Sequence, residues 1–126
     1  PPRSTLFPYT TLFRSVELAI NFPDGLTGLK QCNCSICRRK GAIMAFTAKE
    51  NLEIIKGESK LTLYSFHTHA AKHYFCSVCG IYTHHIPRSN PNVFGVNVGC
   101  IEGVDMDNLG DIQIIDGNNH PMDSKT

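Results

Sequence analysis

Three cysteines within six residues, Cys32-Asn33-Cys34-Ser35-Ile36-Cys37, constrain this chain more than any other stretch. Neighbours this close cannot make a disulfide framework, but they can converge on one ion. Thiolate sulfur is soft, and tetrahedral thiolate sites most often hold zinc. Three ligands from one tight loop leave a fourth tetrahedral position for the second cysteine cluster, for water or for a substrate thiol. A fourth protein ligand would make the site structural. An exchangeable one would make it catalytic.

The second cluster is Phe75-Cys76-Ser77-Val78-Cys79-Gly80, a zinc-knuckle signature. Cys-x-x-Cys sets two sulfurs on one turn, and the glycine after it permits a positive φ so that backbone N–H groups can face sulfur. Five free thiols packed as small hydrophobes would not account for these spacings. Two metal arrangements fit. Cys34, Cys37, Cys76 and Cys79 can close one ribbon-like site, although Cys32 is then spare. The 38 residues between the two pairs also exceed the usual roughly 15 to 20. Alternatively, Cys32, Cys34 and Cys37 hold one zinc with an open position, and Cys76 with Cys79 supplies half of another site. Five of the six cysteines in two clusters suit metal binding in a reducing compartment, so a cytoplasmic location is expected.

At 126 residues the chain suits one domain with a modest core. The net charge is +1 with acids and bases interspersed. That excludes the basic stripe of a nucleic-acid binder. The longest apolar run, residues 42–46, is too short to span a membrane. Residues 1–15 do not read like protein: they resemble the translation of a short-read sequencing adapter. Pro8, Tyr9 and the threonines interrupt any signal-peptide core. We therefore expect a non-native adapter-like segment over 1–15, one domain over 16–120, and a polar tail over 121–126.

From Val16 the pattern predicts short strands: residues 16–20, 43–47, 52–55, 61–66, 81–86 and 112–115. Pro23-Asp24-Gly25 reads as a turn, Cys32 to Cys37 as a loop, and Lys56-Gly57-Glu58 as a hairpin connection. Phe94, Val96, Val98 and Cys100 share one apolar face, making Cys100 a core thiol. Gly95, Asn97 and Gly99 occupy the other face, so something is expected to approach the backbone there. Residues 105–109 suit one helical turn. No stretch sustains a 3.6-residue period, and the fold class is mostly β.

Four motifs in order resemble the glutathione-dependent formaldehyde-activating enzyme family, which includes centromere protein V. They are Cys32-Asn33-Cys34-Ser35-Ile36-Cys37-Arg38-Arg39-Lys40-Gly41-Ala42, His73-Tyr74-Phe75-Cys76-Ser77-Val78-Cys79-Gly80-Ile81-Tyr82-Thr83-His84-His85, Pro87-Arg88-Ser89-Asn90-Pro91, and Val96-Asn97-Val98-Gly99-Cys100. The resemblance implies a zinc-containing β-tent fold of short antiparallel strands and the two-ion arrangement. Cys32, Cys34 and Cys37 would bind the catalytic zinc. Cys76 and Cys79 would bind a structural zinc, completed in the family by a Cys-x-Cys before the first strand. This chain lacks that Cys-x-Cys ahead of Val16, which leaves the structural Zn2+ two ligands short.

The implied activity is that of a carbon–sulfur lyase joining a small-molecule thiol such as glutathione to an aldehyde such as formaldehyde, or the reverse. Arg38, Arg39 and Arg88 are candidates for the two carboxylates of a tripeptide thiol, since arginine suits bidentate contact. His67, His69 and His73 read as surface residues on a strand edge. His84 and His85 follow Cys79 too closely for a Cys₂His₂ finger. The alternative from another class is a zinc-stabilised binding module without chemistry.

Overall fold

The computed structural model describes residues 15–65 and 71–117, together with the backbone of 9–13. Ten strands and one short α-helix follow in order: β1 (Tyr9–Phe13), β2 (Val16–Ile20), β3 (Leu29–Cys32), α1 (Ser35–Lys40), β4 (Met44–Ala48), β5 (Leu52–Lys56), β6 (Leu61–Tyr64), β7 (Lys72–Cys76), β8 (Tyr82–Ile86), β9 (Val93–Asn97) and β10 (Ile112–Ile115). The protein is mostly β. Strands β1-β2-β5 form a small sheet, and β10-β3-β4-β9-β8-β7-β6 form a seven-stranded one.

Sequence dictates the centre of the small sheet. Val16, Leu18, Ala19 and Ile20 are all buried, so β2 is covered on both faces rather than one. Leu18 and Ile20 join Leu29, Ala45, Val96, Val98 and Cys76 in the common core. Each fully buried aliphatic side chain contributes about 1.5–3 kcal/mol. The turn after β2 forms as expected, with the Gly25 N–H donating to the Phe22 carbonyl at 2.9 Å and Gly25 at φ 72°.

Four expectations are corrected. Residues 56–58 do not make a hairpin: β5 pairs with β2 and β6 with β7, in different sheets. Gly57, at φ 84°, turns the chain from one sheet to the other, against the Ser15 carbonyl where a Cβ has no room. The cysteine segment is not a plain loop, because Cys32 ends β3 and Cys37 lies within α1. The strands are not uniformly antiparallel, since β10 runs parallel to β3 with Ile112 opposite Leu29. Cys100 sits past the end of β9 in a 3-10 turn, half-buried, its thiol 3.5 Å from the Tyr82 carbonyl.

The single turn near residue 107 is present as Met106–Asn108, capped by the Asp105 carboxylate accepting from the Asp107 N–H at 3.0 Å. The backbone of residues 9–13, within the adapter-like segment, pairs antiparallel with β2. His67, His69 and the 121–126 tail lie outside the described residues. Among the described residues, no helix is long and apolar enough to cross a membrane.

Candidate active site

The end of β3 and the start of α1 build the thiol cluster. Leu29 is buried and anchors β3, while the Asn33 N–H donates to the Ile115 carbonyl at 3.0 Å and ties the following residue to β10. Cys34 occupies the N-cap of α1 with extended backbone, and its N–H points at the Cys32 Sγ, 3.4 Å away. One helical turn then carries Cys37 back beside Cys34. Gly41, at φ 64°, stops the helix with its N–H on the Cys37 carbonyl. On the far side, Gly117 lies so close that a Cβ there would fall 2.5 Å from Cys32 Sγ and 2.7 Å from Cys34 Cβ.

The three Sγ atoms lie within 4.8 Å of one another. Three thiolates around one tetrahedral zinc stand about 3.8 Å apart for a Zn–S distance of about 2.3 Å. The spacing fits. So does the electrostatics: burial pushes Cys37 far up, and the neighbouring Cys34 and Cys32 raise it further. Burial also raises Cys32. For Cys34 burial acts upward as well, but the backbone N–H of Cys37 and the adjoining thiols outweigh it and bring it down. Two of the three thiols thus resist ionisation through burial and their neighbours' charge; a soft divalent cation would remove that resistance.

A cavity of about 650 Å³ opens from the cluster. Tyr82, His73 and His85 from β7 and β8 line it, with Phe46 from β4. Three cations also face it: Lys30, Lys40 and Arg88. The Lys40 Nζ sits 3.5 Å from the centroid of the Tyr82 ring, and burial lowers its pKa to about 8 against the opposing pull of Cys37 and Cys34. Tyr82 is held protonated, first by burial and then by the charges of all three cysteines.

The imidazoles of His73 and His85 are stacked, with centroids 5.7 Å apart and planes 7° from parallel. Phe46 meets His85 edge-on at 5.7 Å. Burial, with the Lys40 charge adding to it, brings His73 down to about 4. Burial likewise takes His85 to about 3, so both rings are neutral at pH 7. His73 was expected at the surface. The structure buries it at 4% exposure, because β7 is paired on both sides by β6 and β8. What approaches the glycine face of β9 is His85: its ring lies on Gly95, where no Cβ fits.

The other candidate residues fall in different places. Arg88 lines the cavity. Arg38 and Arg39 are exposed on α1, with Arg39 Nη1 donating to the Ser35 carbonyl at 2.8 Å, and neither lines the cavity. Cys76 is buried in the core and Cys79 half-buried on the turn after β7, closed by the Gly80 N–H on the Cys76 carbonyl at 2.7 Å. Burial acts upward on Cys76, but the backbone N–H groups of Cys79 and Val78 lower it overall. Among the described residues, Cys32, Cys34 and Cys37 are the only group of three or more potential ligands. The ribbon-like combination of Cys34, Cys37, Cys76 and Cys79 is not assembled.

Sequence reading missed Lys40, Tyr82 and His85 as neighbours of the thiols. Lys40 had a signal, since it stands one helical turn past Cys37. Tyr82 and His85 had none of their own, because cross-strand pairing alone brings them to the cavity.

The chain is thus a mostly-β protein in which three clustered thiols that could hold a metal ion open on a cation-lined cavity. The sequence pattern of the family described as "Glutathione-dependent formaldehyde-activating enzyme" matches residues 15–112, and the chain belongs to that family. A structural-genomics crystal structure of a Rhodobacter sphaeroides protein is similar at 44% sequence identity and a TM-score of 0.80, covering 85% of this chain and 99% of that one.

Proposed function

We propose that this protein is a zinc-dependent carbon–sulfur lyase that adds a glutathione-type thiol to a small aldehyde such as formaldehyde, or catalyses the reverse reaction. The observation that supports it most is the Cys32–Cys34–Cys37 cluster opening on a cavity with three cationic side chains. Family membership supplies the thiol and the aldehyde as substrate classes. In this reading Cys32, Cys34 and Cys37 hold the zinc. Bound there, zinc supplies Lewis-acid chemistry that lowers the pKa of a thiol.

The chain's own residues do the rest. Arg88 and Lys30 offer positive charge to the carboxylates of a tripeptide thiol, with Arg88 suited to a two-point contact. Phe46 and the stacked imidazoles give a largely apolar wall that excludes water from the aldehyde carbon. Holding thiol and aldehyde together in that space supplies much of the acceleration. The same reading takes the architecture as a zinc-containing β-tent in a cytoplasmic, reducing setting, with Cys76 and Cys79 as half of a structural zinc site.

The test is zinc content and catalysed exchange measured on one preparation. Protein bearing zinc at the three-cysteine site should accelerate exchange between glutathione, formaldehyde and their adduct, read by NMR above the uncatalysed background. Chelation should abolish the acceleration and zinc should restore it. Zinc-loaded protein with no acceleration would leave a binding module as the better reading.

A further inference from the structure

We propose that Tyr82 is a catalytic residue, its phenolic hydroxyl donating a hydrogen bond to the aldehyde oxygen as the carbon–sulfur bond forms, with Lys40 as its positioning cation. The proposal rests on the thiol–aldehyde reading above and assigns a proton donor within it.

Addition of a thiol to an aldehyde has one electrostatic difficulty on the substrate side. The sulfur lone pair forms the new bond to carbon, the carbon–oxygen π pair moves to oxygen, and that oxygen becomes anionic unless a donor faces it. A preorganised donor at such an oxygen is a large source of catalysis. The donor must keep its proton at neutral pH and must stand near the sulfur cluster.

Tyr82 meets both requirements. It lines the same cavity as Cys32, Cys34 and Cys37, and a phenol, whose ordinary pKa is about 10, keeps its proton at neutral pH. The Lys40 ammonium rests over its ring, 3.5 Å from the centroid. A cation on the π face stabilises negative charge as it develops on the phenol oxygen. The stacked imidazoles of His73 and His85, each 6.2 Å from the Tyr82 ring by centroid, hold it from another side. The proton passed to the adduct oxygen is replaced from solvent, which also receives the proton lost by the thiol. Thiol plus aldehyde gives the hemithioacetal, with no oxidant or reductant.

Tyr82→Phe tests this, because it keeps the ring under Lys40 and removes one oxygen. On zinc-loaded protein, NMR exchange between glutathione and formaldehyde should fall about a hundredfold toward background. Zinc content should be unchanged, and calorimetric binding of S-ethylglutathione, which cannot react, should stay within about twofold, below the weight of one hydrogen bond. S-(2-hydroxyethyl)glutathione carries a hydroxyl near the adduct position. It should bind the wild type about threefold or more tightly than S-ethylglutathione, the worth of one hydrogen bond, and Tyr82→Phe should erase the preference. Lys40→Met should reduce exchange by a smaller factor. Full exchange and an intact hydroxyl preference in Tyr82→Phe would overturn the assignment while leaving the thiol–aldehyde reading in place. No catalysed exchange in the zinc-loaded wild type would instead remove that reading, and this proposal with it.

Discussion

Gly95 lies directly beneath the imidazole of His85, its cross-strand partner in the pairing of β8 with β9. A Cβ on Gly95 would fall 2.6 Å from His85 Nδ1 and 2.9 Å from Phe46 Cε1. The ring therefore packs on the β9 backbone while lining the cavity.

Gly95→Ala should push His85 and Phe46 into the cavity and strain both. Overpacking of this kind costs about 1–3 kcal/mol, and urea unfolding should show it. The variant should also weaken S-ethylglutathione binding, since the cavity shrinks. A stability within about 0.5 kcal/mol of wild type, the range of an ordinary surface change, would show that the strands adjust freely.

Gly117→Ala acts at the other end of the site. Its Cβ would press on Cys32 Sγ and Cys34 Cβ, so the expected loss is in metal affinity, tenfold or more by analogy with outer-shell changes at about 10–100-fold. A competition titration against a chromogenic chelator reads this. Equal affinity would mean the backbone after β10 moves away without disturbing the thiols.

Cys34→Ser should remove one zinc per chain and the catalysed exchange while the fold persists. Cys34 is the cluster member brought down in pKa by backbone N–H groups, and it sits outside the hydrophobic core. Metal analysis, exchange and circular dichroism on one sample decide the matter. Unchanged zinc and unchanged exchange would refute the site assignment.

Acid should destabilise the protein through its buried histidines. Burial takes His84 to about 4 and His85 to about 3, from an ordinary 6.5. Below about pH 6.5 the unfolded chain binds protons that the folded chain refuses. This stabilising contribution is therefore complete above that pH and is lost as pH falls toward the folded values. Each histidine adds a slope of up to about 1.4 kcal/mol per pH unit. Urea unfolding at about pH 7 and about pH 5 should show the loss, and His85→Phe should lessen it. Equal stability at the two pH values would mean the rings are more hydrated than their burial indicates.

Local pattern carried much of this protein. The Cys-x-Cys-x-x-Cys spacing made a three-sulfur group one of two arrangements, because a strand end and one helical turn are short-range geometry, and the fold assembles that one. The strands β2, β4, β8, β9 and β10 were legible for the same reason: short runs rich in apolar and β-branched residues, bounded by turn residues, are written in adjacent positions. The six-residue α1 was not, being too short to show a 3.6 period. Nor was the crossing at Gly57, where a turn glycine serves two sheets instead of one hairpin. Only tertiary structure decided what faces the thiols. Tyr82, His73 and His85 reach the cavity through the pairing of β7, β8 and β9, and the parallel pairing of β10 with β3 brings Gly117 against Cys32. Those contacts join residues tens of positions apart, and their energies depend on burial and close approach, which no run of neighbouring residues encodes.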